Sequence, residues 1–204
     1  TLFRSHVQGN GLNQIVEKMI YGEGQPNDKA KNLRGELVRH YDQAGIQQFE
    51  LYDIHGEARR SQRQLRAEYK FEANWNNPAA VALENEPPFV TETEYDALKR
   101  IVTQKNADES VYKPQYHPSG LLKRVEVTFK NDLAPIVFVE SITYNPKGQR
   151  ERIVYGSGVA TQYIYERETF RLTGLKTYRQ RDNKLLQDIS YVYDPVGNIS
   201  RLTD

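Results

Sequence analysis

Alternation of apolar and polar residues with a period of two runs through the second half of the chain. Val125, Val127 and Phe129 alternate with Glu126 and Thr128, Tyr163 shares a face with Tyr165, and Tyr191 shares one with Tyr193. Every second side chain of an extended segment points to the same side, so this pattern predicts half-buried strands. Val139 to Tyr144 and Ile153 to Tyr155 continue the β-branched and aromatic habit, and Gly156-Ser157-Gly158 marks a tight turn between them and the next strand. Residues 121–202 therefore read as one antiparallel meander, with tyrosines packing across strand pairs and polar residues facing solvent. Nearer the start, Ile15, Val16, Met19 and Ile20 fit a strand and a helix equally well. Between Phe71 and Val90 the alternation breaks: Trp75-Asn76-Asn77-Pro78 and Glu86-Pro87-Pro88-Phe89 enclose a run, Ala79 to Leu83, long enough for one or two helical turns. Residues 71–90 are thus expected to be an insertion or loop, and Lys105 to Glu109 an exposed loop.

The strands are punctuated by a recurring phrase: a tyrosine, a short polar residue, two variable positions and a glycine. It occurs at Tyr41-Asp42-Gln43-Ala44-Gly45, Tyr52-Asp53-Ile54-His55-Gly56, Tyr116-His117-Pro118-Ser119-Gly120, Tyr144-Asn145-Pro146-Lys147-Gly148 and Tyr193-Asp194-Pro195-Val196-Gly197. Composition alone yields about 0.1 such matches, so the phrase is architectural. Tyr95-Asp96-Ala97-Leu98-Lys99 is a copy without its glycine, and Tyr165-Glu166-Arg167-Glu168-Thr169 is a longer one that continues through Phe170. From Tyr95 through Tyr116, Tyr144 and Tyr165 to Tyr193 the spacing alternates between 21 and 28 residues. Each slot has a mechanical reason. Asp or Asn caps the backbone two residues on, Pro presets φ for a type I turn, and Gly takes the left-handed conformation of the residue that closes a turn with a bulge. The structural-repeat residues are therefore Tyr41, Asp42, Gly45, Tyr52, Asp53, Gly56, Tyr95, Asp96, Tyr116, Gly120, Tyr144, Asn145, Gly148, Tyr165, Tyr193, Asp194 and Gly197. The fold expected is all-β, an antiparallel meander of repeated hairpins over residues 1–204 as a single domain, with minor helical turns in insertions.

Composition narrows the chemistry. The 204 residues carry 28 Lys and Arg against 27 Asp and Glu, a net charge of +1 that offers no field for nucleic acid or anionic lipid. Only 38% of residues are apolar, and tyrosines outnumber phenylalanines 14 to 7, so much of the interior is built from rings whose hydroxyl needs a partner. The absence of cysteine removes disulfides, thiolate nucleophiles and thiolate metal sites together. No apolar run approaches the 18 or so residues of a membrane helix, and residues 1–20 lack the basic start and apolar core of a secretory signal.

Each candidate for chemistry has a plainer reading. His55 and His117 fall in predicted turns, His40 stands beside a repeat tyrosine, and His6 has no partner at ligand spacing, so no metal and no cofactor are expected. Gly156-Ser157-Gly158 lacks the nucleophile-elbow pattern, and neither Gly9-Asn10-Gly11 nor Gly22-Glu23-Gly24 continues into a phosphate loop. Glu166 and Glu168 form a carboxylate pair, but in an exposed turn that offers no burial to raise either pKa. Arg59-Arg60-Ser61-Gln62-Arg63 and Arg179-Gln180-Arg181 sit among Glu57, Glu68 and Asp182 and read as a solvated rim.

The tyrosine-aspartate hairpins resemble the YD repeats of RHS proteins. Longer phrases resemble the B component of bacterial insecticidal toxin complexes: Asn32-Leu33-Arg34-Gly35, Thr93-Glu94-Tyr95-Asp96-Ala97-Leu98, Thr169-Phe170-Arg171-Leu172-Thr173, and Leu186-Gln187-Asp188 leading into Tyr191-Val192-Tyr193-Asp194-Pro195-Val196-Gly197. The resemblance implies a spiral of hairpins forming part of a hollow shell or curved sheet. That shell would enclose or deliver a polypeptide payload, be secreted by a bacterium, and partner other shell repeats, toxin-complex components or the payload. No catalytic residue, no nucleic acid and no membrane insertion by this segment are implied. Seven repeats are too few to close a shell, and no polar capping repeat follows the last hairpin, so a fragment able to self-associate through its sheet edges is expected. Asp194-Pro195-Val196-Gly197 also resembles a self-cleavage motif of such shells, but turn chemistry accounts for it fully. The alternative function is an extracellular recognition module that binds glycan or a cell-surface protein through tyrosines such as Tyr163 and Tyr191.

Overall fold

A turn that reverses the chain forces the strands on either side of it to pair antiparallel, and a chain of such turns can only build a meander. The computed structural model describes residues 2–7 and 13–204 and has this architecture; the Gly9-Asn10-Gly11 loop and the side chain of His6 lie outside the described residues. The chain divides into two compact units, Thr1–Val111 and Tyr112–Asp204. In the first, β1 (Leu2–Val7), β2 (Asn13–Tyr21), β3 (Leu37–Asp42), β4 (Gly45–Tyr52), β5 (Ala58–Leu65), β6 (Phe89–Tyr95) and β7 (Ile101–Lys105) pair in chain order, each antiparallel to the next. In the second, β8 (Val111–Tyr116), β9 (Leu122–Thr128), β10 (Ile136–Tyr144), β11 (Arg150–Tyr155), β12 (Val159–Tyr165), β13 (Leu172–Arg179), β14 (Lys184–Tyr193) and β15 (Ile199–Thr203) follow the same rule. The all-β meander expected from the alternation is the observed fold. Residues 13–20, which the sequence left between helix and strand, are strand, because pairing with β1 on one side and β3 on the other satisfies their backbone. The insertion holds one short helix, a single 3-10 turn at Pro78–Ala80 with proline in its first turn.

Burial is thin and local. Leu33, Val38 and Tyr52 form one small core with Phe49 and Ala58, and Tyr41, Ala73 and Trp75 form another with Ile15, Ile20, Ile46 and Val81. In the second unit Val125, Ile142, Ile153, Val154 and Ala160 are buried. Register sorts that unit's side chains into two faces. Ile142, Ile153, Thr161 and Thr177 line up across β10 to β13, and Tyr163, Leu175 and Ile189 line up across β12 to β14 on the same side. The opposite side carries Thr143, Arg152, Gln162, Lys176 and Asp188 in one row, with Lys176 and Asp188 paired at 3.0 Å.

The insertion is docked rather than loose. Trp75 is fully buried, its ring 5.0 Å from that of Tyr41, and its indole N–H donates to the Asp42 carbonyl at 3.1 Å. The Ala73 N–H donates to the side-chain carbonyl of Gln43, and Arg66 donates to the Gln43 and Phe71 carbonyls. Tyr69 and Phe71, by contrast, stand almost free of the fold, at 81% and 73% exposure.

Candidate functional site

The repeat residues converge on the turns. Because strands alternate in direction, the turns of a meander fall on two edges. In the first unit the connections between β2 and β3, β4 and β5, and β6 and β7 share one edge; in the second unit those following β8, β10, β12 and β14 share one. The phrases at Tyr52, Tyr95, Tyr116, Tyr144, Tyr165 and Tyr193 all lie on these edges.

Their construction is uniform. In the Tyr52 copy the Gly56 N–H donates to the Asp53 carbonyl and the Asp53 N–H to the Glu57 carbonyl, while the Asp53 carboxylate accepts from the N–H groups of His55 and Glu57. Asp96, Asn145 and Asp194 repeat the pattern with Lys99, Gly148 and Gly197 as closing residues. His117 keeps the two backbone bonds, to Gly120 and Leu121. The closing residue is left-handed throughout, at φ +79° for Gly56, +87° for Gly120, +78° for Gly148 and +103° for Gly197, and also at Lys99 (+61°) and Phe170 (+58°) where the glycine is missing. In the Tyr165 copy Glu166 does the work of Asp in a turn one residue longer, its carboxylate accepting from Glu168 and Thr169. The register slips by one residue at Tyr52, Tyr95, Tyr144, Tyr165 and Tyr193, which is the bulge that the left-handed residue creates.

Tyr41, Asp42 and Gly45 are placed differently. Their turn lies on the opposite edge and is a two-residue hairpin in which Asp42 pairs directly with Gly45. A further turn of the uniform kind, Asn106 to Ser110, closes on Glu109 at φ +64° within the stretch expected to be a plain loop; with glutamate in the glycine slot, only Asn106 could have signalled it.

The carboxylates of these turns are held ionised by what they cap. The pKa of Glu166 falls to about 2, through hydrogen bonding by the Thr169 side chain first and then by the backbone N–H groups of Glu168 and Thr169. Asp96 and Asp194 are lowered chiefly by Arg100 and Asn198 side chains. At Asp42 burial pulls the pKa up, but Arg63 and the Ala44 and Gly45 amides outweigh it and leave it lowered. A depressed folded-state pKa stabilises the fold above the ordinary carboxylate range and ceases to do so as pH falls through the folded value. Glu166→Gln is therefore expected to lower the melting temperature at neutral pH, with the gap from the parent chain closing between pH 4.5 and about 2. A gap that stayed constant in a calorimetric pH series would show that the charge contributes nothing.

Four of the phenols tie their turn to the one before it. Tyr52 donates to the Leu37 carbonyl at 2.5 Å, Tyr144 to Leu122 at 2.8 Å and Tyr193 to Leu172 at 2.7 Å, with a longer contact from Tyr95 to Ala58 at 3.4 Å. Burial raises the Tyr52 hydroxyl to about 12 and pushes up those of Tyr95 and Tyr144, so all remain donors. Other side chains tie neighbouring turns as well: Gln149 donates to the Phe170 carbonyl, Arg171 to the Asp194 carbonyl while lying over the Tyr193 ring, and Lys99 to the His55 carbonyl. Among the described residues the Tyr165 phenol makes no such bond. Tyr193→Phe should then cost about 1 kcal/mol in urea unfolding and Tyr165→Phe almost nothing; equal costs would remove the phenol from the account.

His40 bonds Glu17 at 2.8 Å, His117 bonds the Ile142 carbonyl at 3.0 Å and packs edge-on against Tyr144, and no group of three or more His, Asp or Glu able to hold a metal occurs among the described residues. The basic cluster on β5 is neutralised, Arg60 by Glu50 and Glu92 and Arg63 by Asp42.

Capped, tyrosine-led turns stacked along one edge of a meander define a YD-repeat β-protein. The chain is an RHS/YD-repeat protein that resembles the components of bacterial insecticidal toxin complexes. It is 32% identical over 210 residues to the toxin subunit YenC1 of Yersinia entomophaga and 32% identical to YenC2 of the same organism over 213 residues, covering 100% and 97% of this chain. It spans about a fifth of the length of these curated relatives (21%). Among solved structures it superposes on TcdB2-TccC3 with a TM-score of 0.83 at 35% identity, over 92% of this chain and 9% of that one. The Photorhabdus luminescens Tc holotoxin pore gives 0.83 at 34% identity, over 94% of this chain and 9% of the other. No family model matches the sequence.

Proposed function

We propose that this chain is a noncatalytic stretch of wall in a toxin-related YD-repeat shell that encloses a polypeptide payload and delivers it outside the producing bacterium. The observation that carries the reading is the superposition of nearly the whole meander on toxin-complex structures at 35% identity. The two-faced register of the second unit supports it. One side carries Ile142, Ile153, Tyr163, Leu175 and Ile189 together with Thr161 and Thr177, and we take it as the payload side; the other carries the row of Arg152, Lys176 and Asp188 together with the buried Val154 and Ala160. Backbone ladders and capped turns supply rigidity without a large core, and the docked insertion stiffens one edge. We take Tyr52, Tyr95, Tyr116, Tyr144, Tyr165 and Tyr193, with their Asp, Asn and Gly partners, as the structural site of this wall. The relatives include proteins called YenC as well as TcdB2-TccC3, so the proposal rests on the repeat wall and not on the letter of a component.

The test is protease protection in the natural protein that carries this segment. An enclosed polypeptide should survive digestion while the wall is intact and be cut once the wall is opened by Trp75→Ala. Equal digestion of the two would contradict enclosure. Specific retention on a glycan array, lost in Tyr163→Ala without unfolding, would favour recognition instead.

A further inference from the structure

Strand β2 outruns its neighbour β3. Its ladder with β1 runs from Asn13 to Met19, but among the described residues β3 reaches it only from Lys18 to Tyr21, because β3 turns away at Asp42–Gly45. The part of β2 before Lys18 therefore presents backbone groups on a side that no strand covers. Val16 is the extreme case. Arg4 pairs with Glu17 and Ser5 with Ile15, so Val16 is the bulge residue that the β1 ladder skips, and the β3 ladder does not reach it either. Both open carbonyls are nevertheless taken: the Trp75 backbone N–H donates to Ile15 at 2.8 Å, and the Gln43 side-chain amide donates to Val16 at 2.7 Å.

Gln43 joins the two sides. Its Oε1 accepts from the Ala73 N–H at 2.7 Å while its Nε2 serves Val16 and, at 3.4 Å, the Ala73 carbonyl, so one side chain offers the insertion a donor and an acceptor as a strand backbone would. A carboxylate at this position would keep the acceptor and lose the donor. The segment held there is not itself a strand. After Trp75 the chain turns through Asn76 and Asn77 into the 3-10 turn that opens on Pro78, and proline has no N–H to offer. The open side of β2 is thus closed by a piece of chain that presents no new ladder. An uncovered edge bearing Ile15 and Val16 would be a template for a strand from another polypeptide. We propose that the insertion is an intramolecular edge guard: residues 73–78 occupy the place on β2 that such a strand would take, and Gln43 locks them there. The guard has this role whether or not the wall encloses a payload.

Two variants of the whole 204-residue chain break the same bond from opposite sides: Gln43→Ala removes the lock from the β3–β4 turn, and Ala73→Pro removes the N–H that it holds. In either, Trp75 emission should move red without denaturant. Hydrogen exchange of residues 15–17 in dilute solution should become about tenfold faster, while exchange along β10 to β13 stays at the parent rate. As protein concentration rises, light scattering should show association beyond that of the parent chain, and exchange of residues 15–17 should slow again as the freed edge is covered. Emission unchanged in both variants would overturn the lock. A released insertion with residues 15–17 exchanging at the parent rate, or with no concentration-dependent slowing there, would overturn the guard. Loss of protection along β10 to β13 in both variants would also overturn it, since the insertion would then be core to the whole sheet and not a cover for one edge.

Discussion

Gly45→Ala should lower the melting temperature by roughly 6–12 °C, the equivalent of about 3 kcal/mol in a chain of this size. Two costs coincide there. The backbone sits at φ +142°, where a side chain is strained, and an added Cβ would stand 2.1 Å from the Gln64 carbonyl oxygen, with Leu65 also in reach. That carbonyl belongs to the β4–β5 ladder and cannot turn aside cheaply, so the hairpin and its neighbour must separate. Gly158→Ala is the control: its φ is +79°, but nothing lies within 4 Å of the added atom. It should cost only about 1 kcal/mol, the conformational part alone. Equal losses for the two variants in thermal melts would mean that the crowding at Gly45 is not real.

Trp75→Ala should be at least as damaging, at about 3–5 kcal/mol. The ring is 0% exposed, packs on Tyr41 and donates to the Asp42 carbonyl, so truncation leaves a cavity and an unpaired acceptor together. The loss should be accompanied by rapid proteolysis within the insertion, because Ala73 and Arg66 hold it to Gln43 only while the core beneath is filled. Phe71→Ala, at an exposed ring of the same segment, should change stability by less than about 0.5 kcal/mol. As the chain has a single tryptophan, its fluorescence in the parent protein reports insertion docking directly. Emission should be blue-shifted in the native state and move red in the same denaturant range in which the β-sheet circular dichroism disappears.

What was legible in the sequence was local. The tyrosine, the capping Asp or Asn and the closing glycine lie within five residues, and each answers a constraint of a turn, so the meander and its punctuation could be read directly. Lys99 shows how far this goes: without glycine its turn was still recognisable from Tyr95 and Asp96, and the backbone is left-handed there all the same. What was not legible depends on distance. Trp75 finds its partner on a strand more than thirty residues earlier, with no period to announce it. Tyr41 carries the same five-residue phrase as its relatives, yet falls on the other edge, because edge is decided by the parity of strands and not by the turn's own residues. The phenol acceptors were invisible for a simpler reason, since a carbonyl two residues past a turn has no side-chain signature.

The most direct measurement is imaging of the natural protein that carries this segment, by electron cryo-microscopy. The account predicts consecutive hairpins lying side by side in a wall, with the turns capped by Asp53, Asn145 and Asp194 along rims of that wall and polypeptide density on the side of Ile153, Tyr163 and Leu175. The same residues found as an isolated sheet with water on both faces would contradict it.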